Sequence, residues 1–302
     1  MDINDLKNLA SEIEGDIHFN YDLKKLNWFN IGGKAQIFFK PATLKSLIKF
    51  LNIYSKRGKI FILGAGSNIL INDTTFPGVI IKLGQNFSKI SILNENLIIA
   101  GCALSQKNLS EYAKDNNIGG MEFLSCIPGS IGGGIRMNSG CFDKEFKDIL
   151  ISVQCIDFNG NIKTINSNNL NFEYRESNLA KDLIFLSATF KGSSKSKQNI
   201  QQEIEKLKKK KEESQPTRIK TGGSTFKNPK NQTEKKVWQL INESVPNNLK
   251  IGDAKVSEKH SNFFVNIKNS SFNDMKALID LVKKKVKEKT GIEIELEIII
   301  VE

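Results

Sequence analysis

The stretch Phe61–Leu83, FILGAGSNILINDTTFPGVIIKL, runs from an apolar strand signal straight into glycines at 64 and 66. A strand followed by Gly-x-Gly is how a dinucleotide-binding βαβ unit begins, so the fold class turns on what comes next. That unit needs a further glycine at the sixth position of the fingerprint and a helix opening on the phosphate-binding turn. Ile69 occupies the position, and the residues after it read as strand and then turn, with Pro77 and Gly78 in the turn. The doubly wound reading fails on context. A Walker-type loop is absent too, because Lys34 of the Gly32–Ala35 run is followed by alanine rather than a hydroxyl residue. What remains at Gly64, Ala65, Gly66, Ser67 and Asn68 is a backbone that can approach an anion closely, with two side-chain donors beside it.

A second glycine-rich segment, CIPGSIGGGIRMNSG at Cys126–Gly140, offers the same chemistry. Pro128 and Gly129 set a turn, and Ser130, Gly132, Gly133 and Gly134 are expected to bring amide donors to a phosphate oxygen. Each segment alone reads equally well as a tight turn. Together they suggest a pyrophosphate held from two sides.

Around these loops the pattern is α+β. Leu44, Leu47, Ile48, Leu51 and Tyr54 recur at helical spacing, KIFIL at 59–63 reads as a buried strand, and hairpin turns fall at Asn94–Asn96 and at Asn159–Gly160. LSQKNLSEYAKDNN at 104–117 reads as a helix. Residues 192–221, with a lysine-rich helix, mark a boundary before a last unit of ordinary domain size. There Ser271 and Asp274 form a capping box, Phe272 to Val286 carry an apolar stripe, and Gly291 stops the helix. The tail IEIELEIIIV alternates as a half-buried strand with Glu293, Glu295 and Glu297 on one face.

The 302 residues predict two or three domains, and 39% hydrophobic with 25% charged residues is the composition of a soluble globular protein. The acidic start MDINDLKNLASEIEGD is unlike a secretory leader, and no apolar run is long enough to cross a bilayer, so a cytoplasmic protein without a membrane partner is expected. Cysteines at 102, 126, 141 and 155 make no CxxC pair, and with two histidines in the chain no metal site is expected. The net charge of +11 comes largely from lysine runs with the spacing of solvated helix faces. No aromatics interleave with them, which argues against nucleic acid, while the field favours a small anionic ligand.

Seven motifs in order, NWFNIGGKAQIFFKP, LGAGSNIL, IPGSIGGGIRMNSG, FEYRESNL, GGSTFKNP, KHSNFFVN and GIEIELEI, make the chain resemble the UDP-N-acetylenolpyruvoylglucosamine reductase (MurB) family, in its shorter type II form. The resemblance runs from about Leu26 to the C-terminus. It implies a two-lobed FAD-binding region of the vanillyl-alcohol-oxidase (PCMH) type, with lobes at 1–82 and 83–200, and an α+β substrate-binding domain at 201–302. It assigns both glycine segments to non-covalently bound FAD, makes NADPH the co-substrate and a UDP-sugar enolpyruvate the substrate, and implies a monomer. Arg175, Ser224 and Glu297 carry over as catalytic. Tyr174, Asn228, His260 and Asn262 carry over as substrate-binding. From the residues alone Arg175 reads as a surface base, Ser224 as a turn serine or helix cap, and spacing does not choose Glu297 over Glu293 or Glu295. The chain departs from the family pattern at Asn30 and Ile299, where arginine is usual, at Leu296, where proline is usual, and in SGCF at 139–142.

Overall fold

Leu47, Phe50, Leu51 and Tyr54 share one side of a helix, and α1 (Leu44–Tyr54) buries all four. Thr43 and Ser46 cap it reciprocally, each backbone N–H donating to the other's hydroxyl at 3.0 and 3.1 Å. The computed structural model describes residues 12–54, 57–217 and 219–302, so most of the acidic amino-terminal stretch lies outside the described residues. The chain divides into two compact units. The first takes the chain up to Phe19, Gln36–Ala65 and Pro77–Lys209; the second takes Asn20–Ala35, Gly66–Phe76 and Lys210–Glu302.

In the first unit α1 lies on a four-stranded sheet, ordered Gly15–Asp22, Lys34–Pro41, Phe76–Ile81, Lys59–Ile62, whose last two strands run parallel. Two local expectations are corrected here. KIFI is half-buried rather than buried. Pro77 and Gly78 sit inside a strand, because Gly78 faces Lys59 so closely that a Cβ would lie 2.2 Å from the Lys59 carbonyl. The glycine signals strand approach, not a turn.

The unit's second sheet is antiparallel, ordered Ile162–Asn166, Leu150–Asp157, Leu183–Lys191, Leu97–Gly101, Ile90–Asn94. Both expected hairpins are in it, and Gly160 takes the left-handed conformation (φ +86°) that its turn requires. One face, through Ile156, Ile184 and Leu186, joins the core under α1. The other, through Val153, Phe185, Ala188 and Phe190, joins a separate core with α2 (Gln106–Asp115) and α3 (Ile131–Arg136). The lysine-rich α4 (Lys197–Ser214) buries only Ile200 and Ile204. All four cysteines are free thiols.

The second unit has its own core. A four-stranded sheet, ordered Thr221–Ser224, Phe263–Asn266, Ala254–Val256, Lys250–Ile251, packs with α5 (Val237–Ser244) and α6 (Phe272–Thr290). Phe29, Ile31 and Leu70 enter this core from far upstream. The helix signals hold: Ser271 and Asp274 form the capping box, Asp73 Oδ2 accepts from Phe272 N–H at 2.6 Å, and Gly291 closes α6 at φ +74°.

The tail is not one strand. Leu296 makes a single antiparallel bridge to Phe226, the chain bends at Ile298, and Ile299–Val301 then pairs in parallel with Ile69–Ile71. The change of partner breaks the alternation. Glu293 and Glu295 are exposed while Glu297 is half-buried, so the three glutamates do not share one environment.

Ser271→Ala removes the hydroxyl that accepts from Asp274 N–H at 3.0 Å. It should lower stability by about 1 kcal/mol, seen as a lower urea midpoint at unchanged m.

Candidate active site

The chain leaves the strand Lys59–Ile62 and turns at Gly64, whose carbonyl accepts a hydrogen bond from the Lys82 ammonium at the end of the neighbouring parallel strand. Burial, with Lys40 nearby, holds the Lys82 pKa below the usual lysine range. On its other side Gly64 faces the second glycine segment: a Cβ there would lie 2.7 Å from Ser130 Oγ. The two segments singled out in the sequence are therefore neighbours within the first unit.

Ser130 is the N-cap of α3, and here the amide-donor expectation is corrected. Ile131 N–H donates to Leu104 O at 2.8 Å, Gly132 to Cys102 O at 2.9 Å, Gly133 to Ser130 Oγ at 3.3 Å and Gly134 to Ser130 O at 2.9 Å. Those donors are already used inside the protein. Gly134 is needed for packing, since a Cβ would meet the Phe146 ring at 2.4 Å. Gly133 is exposed, with only Ser130 Oγ near its Cβ position, at 3.5 Å. The bare face of α3 offers close approach rather than hydrogen bonds.

Arg136, the one charge in that segment, donates to the carbonyls of Leu179, Ala180 and Leu183 at 2.8 to 2.9 Å and stacks on Phe185 at 4.4 Å. Together with Ser177 Oγ, which donates to the Arg136 carbonyl at 3.0 Å, it fixes the chain after FEYRESNL. Within that motif Glu173 and Glu176 form an isolated bridge, and Tyr174 and Arg175 make the turn between them. Arg175 takes φ +61°, a left-handed conformation that costs a non-glycine residue about 1–2 kcal/mol. Its guanidinium donates to Gly140 O at 2.8 Å, lies 3.8 Å from Glu145 Oε1 and stacks on Tyr174. Strain of this kind clusters at functional sites.

In the second unit Gly66 (φ +71°) sits on the Leu26–Asn27 turn so tightly that a Cβ would lie 2.1 Å from the Leu26 carbonyl. Trp28 N–H donates to Gly66 O at 2.9 Å. The turn is itself organised by buried Asn27, whose amide donates to the carbonyls of Leu23, Lys24 and Ile31. Asn68 Nδ2 donates to the Glu297 carbonyl at 3.0 Å, and the Asn68 carbonyl accepts from Ile299 N–H at 3.0 Å. Glu297 N–H in turn donates to Thr225 O at 2.9 Å. Glu297 is thereby joined on one side to the glycine loop and on the other to the residue after Ser224.

Ser224 ends its strand opposite Phe263, after Gly223 (φ +80°), whose Cβ position is open. It is neither a turn serine nor a helix cap. Asn262 is buried, and its side chain grips Phe226, accepting from the N–H at 3.0 Å and donating to the carbonyl at 2.9 Å, while its own carbonyl accepts from Thr225 N–H at 2.8 Å. It clamps the segment that carries Ser224. Thr225 Oγ1, fully buried beside it, has no hydrogen-bond partner among the described residues. His260 packs edge-on to Phe263 with ring centroids 4.8 Å apart, its Nδ1 accepts from Asn262 N–H at 3.3 Å, and burial lowers its pKa. Asn228 Oδ1 accepts from Val237 N–H at 2.9 Å at the start of α5 and borders a cavity of about 290 Å³ with Lys230, Thr233, Glu234, Lys235 and Lys236.

Sequence reasoning missed Lys82 and Asn27. Lysine after a strand and asparagine before a tryptophan carry no local signal, and both matter through partners that only folding brings near.

The carboxyl-terminal part of the chain, residues 215–301, matches the model of the UDP-N-acetylenolpyruvoylglucosamine reductase C-terminal domain, and residues 35–166 match an FAD binding domain model. The chain is 56% identical over 298 residues to the UDP-N-acetylenolpyruvoylglucosamine reductase of Pelagibacter ubique, covering 99% of both chains. It is 42% identical over 286 residues to that of Rickettsia felis, covering 95% of this chain and 96% of the relative. Among solved structures, UDP-N-acetylenolpyruvylglucosamine reductase (MurB) from Thermus caldophilus superimposes with a TM-score of 0.81 at 26% identity, over 96% of this chain and 100% of that one.

Two outcomes test the geometry. Gly66→Ala forces a Cβ into the Leu26 carbonyl and should cost several kcal/mol, about as much as a severe core or backbone clash, measured by urea unfolding. His260 is kept neutral by burial, so the unfolded chain binds more protons than the folded one just below the ordinary histidine pKa. Its contribution is present above that value and is lost as pH falls. His260→Gln should therefore flatten the fall in stability below about pH 6.5, read from urea midpoints across pH.

Proposed function

Because the chain belongs to the UDP-N-acetylenolpyruvoylglucosamine reductase family, we propose that it uses NADPH and non-covalently bound FAD to reduce UDP-N-acetylglucosamine enolpyruvate to UDP-N-acetylmuramate. The observation that carries this reading is the joining of the GGSTFKNP and GIEIELEI motifs through Thr225 O and Glu297 N–H, with Asn68 of the glycine loop on the Glu297 carbonyl. Three motifs far apart in sequence are thus joined at Thr225, Glu297 and Asn68.

The fit to FAD rests on two features of the first unit. Gly64 and Ser130 Oγ approach too closely to admit a Cβ, which brings the two glycine segments together, and Lys82 places a cation beside the loop. We assign Gly64, Ala65, Gly66, Ser67 and Asn68 with Pro128, Gly129, Ser130, Gly132 and Gly133 to the cofactor, the last two through close approach. We keep lobes at 1–82 and 83–200 and a substrate domain at 201–302 as the resemblance gives them, although Phe29, Ile31 and Leu70 join the core of the last domain and Ile156, Ile184 and Leu186 join the core of the first lobe.

Reduced FAD, when bound, supplies a hydride equivalent to one carbon of the enolpyruvyl double bond. Addition there drives negative charge toward the substrate carboxylate. Arg175 stabilises that growing charge, its guanidinium aimed by Gly140 O and Glu145 and its backbone held in a strained turn. Glu297, half-buried, assists by hydrogen bonding. Ser224 Oγ gives its proton to the neighbouring carbon, which as a carbanion is basic enough to take it, and regains one from solvent. Asn262 positions Ser224 through Phe226. The resemblance gives Tyr174, stacked on Arg175, to the sugar or pyruvyl end, His260 to substrate binding or orientation, and Asn228, with the lysines of its cavity, to the UDP part. The same reading makes the protein a cytoplasmic monomer supplying peptidoglycan precursors, without nucleic-acid or membrane partners.

The test is to follow NADPH oxidation with and without the enolpyruvyl sugar. Oxidation independent of the sugar overturns the reading. Ser224→Ala should leave flavin reduction by NADPH near its wild-type rate and slow sugar reduction by about 10²–10⁴-fold, the range for losing a general acid. Equal slowing of both half-reactions would remove the proton-donor assignment.

A further inference from the structure

Lys82 is not among the motifs that mark the family resemblance, and the mechanism above does not use it. It follows the strand Phe76–Ile81, and its side chain returns to the end of the adjacent parallel strand to meet the Gly64 carbonyl. The side chain is half-buried, and another cation, Lys40, is close enough to act on its charge. Lys40 is itself set against Gly84, where a Cβ would lie 3.0 Å from its Cε, and it makes only a long, exposed contact with Asp16 at 3.8 Å. A half-buried ammonium beside a second lysine lacks a counter-charge within the protein, and an anionic ligand would supply one.

Two geometric facts say where. Carbonyl and N–H point in opposite directions across a trans peptide, so the bond from Lys82 to Gly64 O turns the Ala65 N–H to the far side of the loop. Ser130 Oγ lies against the Gly64 Cα, which puts ammonium, glycine backbone and hydroxyl in one cluster within the first unit. A diphosphate is the anion whose size and charge match such a cluster.

We propose that Lys82 binds the flavin cofactor's diphosphate, its ammonium supplying the counter-charge at Gly64 while fixing the peptide that presents the loop. The proposal rests on the reading that FAD occupies the two glycine segments. It makes Lys82 a binding residue whose charge meets its anionic partner in the holoenzyme.

The experiment strips FAD from wild type, Lys82→Met and Lys82→Arg, and titrates each apoprotein with FAD by flavin fluorescence at several salt concentrations. Thermal unfolding of each apoprotein is followed alongside. Lys82→Met should bind FAD about 10- to 100-fold more weakly, the scale of a charge-assisted hydrogen bond. Its affinity should depend less on salt than that of wild type, Lys82→Arg should recover part of the loss, and the Lys82→Met apoprotein should be as heat-stable as wild type or more so. FAD affinity within threefold of wild type overturns the proposal. So does an apoprotein several degrees less stable with an affinity loss that salt does not change, since Lys82 would then be a clamp on the loop. Wild-type protein that takes up no FAD at all would instead overturn the cofactor reading on which this rests.

Discussion

The second unit's distant segments are tied together by how the backbone at Glu297 is held. Its N–H is bound by Thr225 O and its carbonyl by Asn68 Nδ2, so both polar groups of one residue are fixed by segments more than seventy and more than two hundred positions away. Each such bond contributes only about 0.5–1.5 kcal/mol net. Their value is directional. Thr225 follows Ser224, Asn68 closes the glycine loop, and a shift in either moves the carboxylate with it. Asn262 extends the constraint by gripping both polar groups of the Phe226 backbone.

Glycines serve this arrangement in two different ways. Gly66 and Gly134 are required by the protein itself, against the Leu26 carbonyl and the Phe146 ring, and would be required with no ligand present. Gly133 and Gly223 have open space where a Cβ would go and are the positions where a bare backbone can meet something else. Gly64 belongs between these classes, since its only close neighbour is the terminal hydroxyl of Ser130. The glycine-rich stretch at 126–140 is thus partly packing and partly surface. Composition cannot separate the two, because the distinction lies in what stands opposite each Cα.

Local signals in the chain were legible because they are satisfied locally. Ser271 with Asp274 and Gly160 in its hairpin turn each complete their hydrogen bonds or conformation within a few residues. The exclusion of a dinucleotide fold was equally local, since Ile69–Ile71 is a strand where that fold needs a helix. The misread places share the opposite property. Pro77 and Gly78 look like a turn until the parallel strand at Lys59 is set beside them, and the tail looks like one strand until it changes partners at Ile298. Amide donors on α3 seemed free because Leu104 and Cys102, which accept from them, lie more than twenty residues earlier.

The departures from the family pattern find physical homes in the same framework. Asn30 adopts φ +53°, and asparagine is among the few residues that enter the left-handed region at low cost. Leu296 stands at the non-hydrogen-bonded position of its bridge: Lys227 N–H donates to Glu295 O and Glu297 N–H to Thr225 O, so the amide of Leu296 is not part of the ladder. A proline lacks only that amide, which is why either residue suits the position and the glutamate after it keeps its place. Ile299 is exposed and engages Asn68 through its backbone, an interaction indifferent to its side chain. Glu293 and Glu295 are exposed and engage Lys287 and Lys227 at the surface, whereas Glu297 is the one withdrawn from water. The bend in the chain separates the environments of three glutamates that their spacing leaves alike.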